Sequence, residues 1–207
     1  MYPIKIPKFI QHFFANYTFS IPKPENVIYL TFDDGPIPEI TPWVLEQLAI
    51  YDAKATFFMI GDNIRKYPEI YQQVIDGNHA VGNHTFNHLN GWKTDNKTYF
   101  ENVQQCATII DTKLFRPPYG KLKPSQAKYL RKQYQIVLWE ILSGDFDKNI
   151  SSERCLENVL SHAKNGSIVV FHDSLKAKKH LKFVLPKTLA YFHEKGFTFQ
   201  LIKNNQK

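Results

Sequence analysis

Val27-Ile28-Tyr29-Leu30-Thr31-Phe32-Asp33-Asp34-Gly35-Pro36 runs from six apolar, aromatic or β-branched residues into two adjacent carboxylates and a Gly-Pro turn. An apolar run of that length, bounded by turn residues, reads as a strand over 27–32. Outward from it the pattern repeats. Strand-like runs at 55–60, 80–82, 114–116, 136–140, 167–171 and 197–202 alternate with helical patterns at 38–51, 64–76, 97–112, 124–132, 152–163 and 181–194. The helix at 64–76 stops at Gly77, the one at 97–112 opens on a capping box from Thr98 to Glu101, and the one at 124–132 starts on Pro124. Seven strands alternating with helices imply an α/β fold around a mainly parallel sheet, either an incomplete barrel or an open doubly wound sheet. In both architectures chemistry belongs at the carboxyl ends of the strands.

With 207 residues, 43% apolar and 22% charged, the chain fits one domain, expected over 27–203, with disorder confined to 203–207. Residues 1–26 show no signal peptide and no membrane span. A cytoplasmic or peripheral location is the expectation. The same segment spaces Ile6, Phe9, Ile10, Phe13 and Phe14 as a short amphipathic helix, expected to pack on the domain as a cap at its bottom rather than to anchor it at a membrane. Net charge is +7, but the lysines look dispersed. The densest run, Lys176, Lys178 and Lys179 beside His180, reads as a solvated helix start and not as a nucleic-acid patch. Cys106 and Cys155 are far apart inside helical patterns and read as small buried hydrophobes, without a disulfide or a metal knuckle.

Unusual polar residues fall at the end of one expected strand after another: Asp33-Asp34, Asn83-His84-Thr85-Phe86-Asn87-His88, Arg116-Pro117-Pro118-Tyr119-Gly120, Gly144-Asp145-Phe146-Asp147 and Phe171-His172-Asp173. Such loops converge on one mouth. Taken alone, Asp33 and Asp34 are explained equally by a turn before Gly35-Pro36. Taken alone, a pair like His84 and His88 is more often structural than metal-binding. The i, i+4 spacing puts both imidazoles on one face of a helical turn, and a strand-end aspartate completes two imidazoles and one carboxylate with a coordination position left open, the pattern of a catalytic zinc site. His172 after an apolar strand, with Asp145 at another strand end, suggests an acid or base with a carboxylate partner. Arg116, held by two prolines, suits the orientation of a carboxylate.

Together the five segments resemble the NodB-type polysaccharide deacetylases, carbohydrate esterase family 4, from about Ile28 to Ile202 and in that family's order. The resemblance implies a distorted, incomplete (β/α) barrel of about seven mainly parallel strands, and a metal-dependent hydrolase that removes N-acetyl groups from aminosugars of a peptidoglycan or chitin-like substrate. It implies Asp33 as catalytic base, Asp34, His84 and His88 as metal ligands, Arg116 as the group orienting Asp33, the Tyr119 backbone N–H as an oxyanion donor, and His172, tuned by Asp145, as general acid. Pro118, Tyr119, Phe146 and Val170 would contact the substrate. The ion would be zinc in the first place, with cobalt or another first-row ion also suited to the ligands. Phe146 stands where many members carry tryptophan and Leu142 where many carry aspartate, which leaves room for another carbon–nitrogen substrate such as a cyclic imide or ureide. A silent carbohydrate-binding domain is the third reading. The sequence alone says nothing of the oligomeric state.

Overall fold

The computed structural model describes residues 2–203, so the disorder expected at the carboxyl end lies, for 204–207, outside the described residues. β1 (Val27–Asp33) is buried along its whole length and lies in the interior of the sheet. It pairs in parallel with β2 (Ala55–Met59) on one side and β7 (Ile168–His172) on the other, in a register that sets Asp33 beside Phe58 and His172. The carboxyl ends of these strands therefore finish at one level. Beyond β2 follow β3 (Ala80–Asn83), β4 (Leu114–Phe115) and β5 (Gln135–Ile136); beyond β7 lies β6 (Ile141–Leu142), and every one of these pairings is parallel. β8 (Thr198–Phe199) pairs with the foot of β1 at Val27 and Ile28.

β5 and β6 occupy opposite edges of this sheet, yet only residues 137–140 separate them in the chain. The sheet must curl until its edges meet. Within that span the Val137 N–H donates to Phe115 O on one edge and the Glu140 N–H to Ile168 O on the other. This change of partner is why the strand expected at 136–140 is replaced by two strands of two residues each. The amino-terminal segment fills the seam: Thr18 bridges Val137, Lys5 bridges Ile141 in antiparallel sense, and the Leu142 N–H donates to Ile4 O. The result is the distorted, incomplete barrel and not the open sheet.

Helices α2 (Thr41–Ala49), α3 (Gly61–Lys66), α4 (Pro68–Asp76), α5 (Asn96–Ala107), α6 (Pro124–Leu130), α7 (Ser152–Leu160) and α8 (Lys178–Glu194) follow the strands in alternation. Their apolar stripes, including Val44, Leu48, Val74, Val159, Leu185 and Leu189, are buried in one core with Phe57 and Phe171, which stack on Phe32 at 5.0 and 5.9 Å. Each such buried side chain contributes roughly 1.5–3 kcal/mol.

Local chemistry moves several boundaries. The helix expected over 64–76 is two helices, because Tyr67 precedes Pro68 and is pushed out of helical geometry to φ −132°, ψ 57°. The capping box from Thr98 to Glu101 does not form. Asp95 caps α5 instead, its carboxylate accepting from the Thr98 N–H. Cys106 and Cys155 are buried and free. Lys178, in the expected lysine run, pairs with Glu39 at the surface.

The amphipathic helix exists as α1 (Lys8–Phe13), but it buries none of its residues and does not cap the bottom of the barrel. Ile6, Ile10 and Phe14 flank Pro117, Tyr119 and Trp139 around an apolar cavity of about 220 Å³ beside the strand-end loops. The seam contacts of residues 4–6 along 140–142 place it there. Among the described residues no helix is long and apolar enough to cross a membrane.

Candidate metal centre

β1 delivers Asp33 and Asp34 in succession. Asp33 keeps strand geometry and points its carboxylate into the barrel, whereas Asp34 turns to φ 83° and leaves the strand. Gly35 is required next to it: a Cβ there would lie 2.0 Å from Asp173 Oδ2. Asp173, fully buried after β7, accepts from the Gly35 N–H at 3.1 Å and from the Thr41 hydroxyl at 2.6 Å, tying the turn to α2. Burial pushes its carboxyl up to about 8, partly opposed by the Thr41 hydrogen bond.

Asp34 Oδ1 lies 3.8 Å from His84 Nε2 and 3.1 Å from His88 Nε2, and one ligand atom from each of the three residues falls within 4.8 Å of the others. That oxygen is buried and makes no hydrogen bond, so an orphaned acceptor faces two imidazole nitrogens. His84 Nδ1 is 2.7 Å from Arg116 O and donates to it, which turns the Nε2 lone pair toward Asp34. Burial holds His84 down to about 4, hence neutral, the form that binds a cation. Burial raises the Asp34 carboxyl, but the neighbouring imidazoles of His88, His172 and His84 outweigh it and hold the group well below the usual carboxylate range. These donors fit a divalent ion with a position open for water or substrate.

The two imidazoles converge without the helical turn that their spacing suggests. Residues 84–88 form a loop in which Thr85 has φ 63° and His88 φ 57°. Two side-chain amides hold it: Asn83 Oδ1 accepts from the Thr85 N–H, and Asn102 Oδ1 accepts from the N–H groups of Phe86 and Asn87, each at 2.9 Å. Asn102 on α5 has the sequence signal of an ordinary helical residue; only its burial and these bonds reveal its role.

Arg116 reaches the same mouth from the end of β4. It is fully buried, and its guanidinium donates to Asp33 Oδ1 at 2.7 Å, Thr31 Oγ1 at 2.8 Å, Leu138 O at 2.9 Å and Val137 O at 3.2 Å, with Cζ 4.0 Å over the Phe58 ring. Asp33 is thus fixed by a cation that has no freedom of its own. Thr31, which opens the motif in the sequence but has no role assigned to it there, is part of this clamp.

His172, in register with Asp33, shows its other face to Asp145: Nδ1 is 2.8 Å from Oδ1, and the His172 backbone N–H donates to Oδ2 at 2.8 Å. Burial alone would lower His172, yet Asp145, with Asp34 and Asp33 behind it, raises it to about 9. Val170 shares the strand face of His172 and is fully buried, and the Phe146 ring meets the His172 ring edge-on at 5.1 Å. Tyr2, which sequence reasoning missed, packs on Phe146 at 5.1 Å and donates to Asp147 Oδ2 at 2.8 Å. Tyr119 follows the buried Pro118 at φ 61°, meets the His88 ring edge-on at 4.6 Å, and its N–H meets no protein acceptor among the described residues. Contacts join Asp34, His84, His88 and Tyr119 at this mouth, Asp33 to Arg116, and His172 to Asp145 and Phe146, whereas Pro118 and Val170 are buried beside it.

A family model described as polysaccharide deacetylase matches residues 20–137, which includes the first three of the five loops. A peptidoglycan-N-acetylglucosamine deacetylase of Bacillus cereus is 35% identical over 194 residues, covering 88% of this chain and 89% of that protein. A second protein of that name from Bacillus cereus is 34% identical over 76% of this chain, which spans only 60% of that relative's length. The crystal structure of a peptidoglycan N-acetylglucosamine deacetylase in complex with 4-naphthalen-1-yl-N-oxidanyl-benzamide superposes with a TM-score of 0.87 at 31% identity over 95% of each chain. With the matched barrel and the matched loops in hand, the chain belongs to the polysaccharide deacetylase family.

Proposed function

We propose that the protein hydrolyses the N-acetyl group of an aminosugar in peptidoglycan or a chitin-like oligomer, with zinc as its ion. The observation that carries this reading is the gathering of two fixed proton-handling pairs, Asp33 with Arg116 and His172 with Asp145, around three converging ligand atoms. The names of the relatives support the acyl group and the sugar.

A divalent ion held by Asp34, His84 and His88 supplies Lewis acidity and positive charge at the point of attack. Asp33, immobilised by Arg116, accepts the proton of the attacking water. The unpartnered Tyr119 N–H donates to the acetyl oxygen as it becomes an anion. His172 donates Nδ1–H to Asp145, so its Nε2 proton is the one available to the departing amine, which cannot leave unprotonated. Acetate and a free amine result. Pro118 and Phe146 offer the apolar wall on which the acetyl methyl rests, while Val170 is fully buried and presents no surface to it.

The test is metal analysis of the purified protein together with acetate release from N-acetylglucosamine oligomers and from peptidoglycan. Bound zinc with acetate release is the expected result. Zinc without acetate release from any N-acetylated sugar moves the chemistry to another carbon–nitrogen bond, and absence of metal affinity rejects the reading.

A further inference from the structure

The charge of this protein is not dispersed once the chain is folded. Residues 2–24 and 112–139 pack together: Thr18 bridges Val137, and Phe13, Phe14 and Tyr17 flank Leu122, Ala127 and Lys128. These two stretches hold ten of the 26 Lys and Arg and none of the 19 Asp and Glu, while the remainder of the chain carries 16 basic and 19 acidic residues. These two stretches therefore carry the whole positive excess. Arg116 lies inside on Asp33, but Lys5, Lys8, Lys128 and Lys132 are exposed, and Lys121 reaches over the exposed Trp92 ring at 5.2 Å. At the margin, Asp95 is engaged as the cap of α5.

On this face α1 presents Phe9 and Phe13, one turn apart, 65% and 80% exposed, with Phe14 half exposed beside them. Lysines and outward phenylalanines together narrow the occupant. A second copy docking through the same face would set lysine against lysine. A neutral glycan leaves the charge unexplained and a nucleic acid leaves the phenylalanines unexplained, while docking on an acidic glycan such as peptidoglycan would leave the protein unbound to vesicles. An anionic lipid surface answers both, with headgroups for the lysines and the acyl boundary for the rings. The face also borders the mouth of the site, because Tyr119, whose ring meets His88 edge-on, lines the same cavity as Ile10 and Phe14. We propose that α1 and the surrounding lysines dock the protein on an anionic bilayer, holding the metal centre beside the membrane surface. This inference stands apart from the chemistry assigned above.

The experiment is co-sedimentation of the zinc-supplemented full chain with vesicles of phosphatidylcholine alone or mixed with phosphatidylglycerol, over a salt series. Binding to the mixed vesicles that weakens with salt is expected. The F9S/F13S variant should partition at least about tenfold less, and K5E/K8E should lose roughly fivefold or more for each lysine. Neither pair is buried, so melting temperature and acetate release from soluble oligomers should match the parent. Equal binding to neutral vesicles, no binding to either, or parental binding by both variants overturns the proposal. So does retention on duplex DNA without vesicle binding, or a concentration-dependent dimer that F9S/F13S abolishes in protein that binds no vesicles.

Discussion

Replacing Asp145 by Asn removes one charge while keeping the shape that holds His172, and the structure sets the size of the effect. His172 is 15% exposed on its side chain and titrates at about 9, against an ordinary 6.5. That gap is worth about 3 kcal/mol, at about 1.4 kcal/mol for each pH unit. Burial already opposes the charged ring, so without Asp145 only the more distant Asp34 and Asp33 support it, and His172 should titrate near or below 6.5. A general acid must carry its proton. At pH 8 the protonated fraction then drops about thirtyfold, and the alkaline limb of kcat moves down by about two and a half pH units. Stability follows the same sign. In the metal-free parent the pair contributes fully below pH 6.5 and is lost as pH rises through 9, a fall of about 6–12 °C in Tm for a domain of this size. Asp173, raised from 3.8 to about 8, loses stability across that interval in both proteins, so the difference between parent and variant is the quantity to read. Ring proton resonances of His172 give the titration directly, with a chelator present. A midpoint unchanged in Asp145→Asn refutes the electrostatic account; a shifted midpoint with an unshifted kcat limb removes His172 from the role of acid.

Other variants separate the parts of the site. Asp34→Asn should lose zinc and turnover together, whereas Asp33→Asn should retain zinc at parental stoichiometry and lose turnover; full rate in Asp33→Asn contradicts its role as base. Asn102→Ala strips the acceptor from the Phe86 and Asn87 N–H groups, so stability should fall by about 1–3 kcal/mol and zinc affinity tenfold or more in a competition titration. Unchanged affinity there means that the 84–88 loop is held by other contacts. Gly35→Ala drives a Cβ to 2.0 Å from Asp173 Oδ2 and should unfold the turn or the protein, with partial recovery of Tm when Asp173 is also shortened to Ser; a parental Tm in the single variant contradicts the packing.

The sheet is legible in the sequence where a strand is buried on both faces. β1 and β7 are continuous apolar runs, and the polar residues that interrupt them, Asp33 and His172, are the site. Strands of two residues leave no period to read, so the change of partner inside 135–142 is visible only in the folded chain. The spacing of His84 and His88 names the right ligands through a helical turn that does not exist, because the amides holding the loop come from Asn83 and from Asn102, the latter on the next helix. Phe146 is read from its motif, but not the Tyr2 ring against it, which arrives from 144 residues away in the chain. The basic stretch is legible in the sequence yet goes unread there: 112–139 holds seven Lys and Arg and no Asp or Glu, a bias that a search for dense lysine runs does not register, and the barrel seam lays 2–24 beside it.

Barrel closure and catalysis are one physical fact in this protein. Arg116 follows β4 and Asp33 ends β1, with β3 and β2 between them, so in a flat sheet their Cα atoms would be about 14 Å apart. Side chains stand perpendicular to a sheet, and across a flat one these two would never meet. Their bond of 2.7 Å exists because the strands curl until opposite flanks face each other. The span 137–140 that completes the curl also supplies the Val137 and Leu138 carbonyls that hold the guanidinium. Loosening the seam therefore releases the clamp on the base before it exposes much core. A variant that weakens the contacts of Ile4 or Thr18 with 137–142 should lose turnover more steeply than it loses Tm, and proportional losses of the two would break this link.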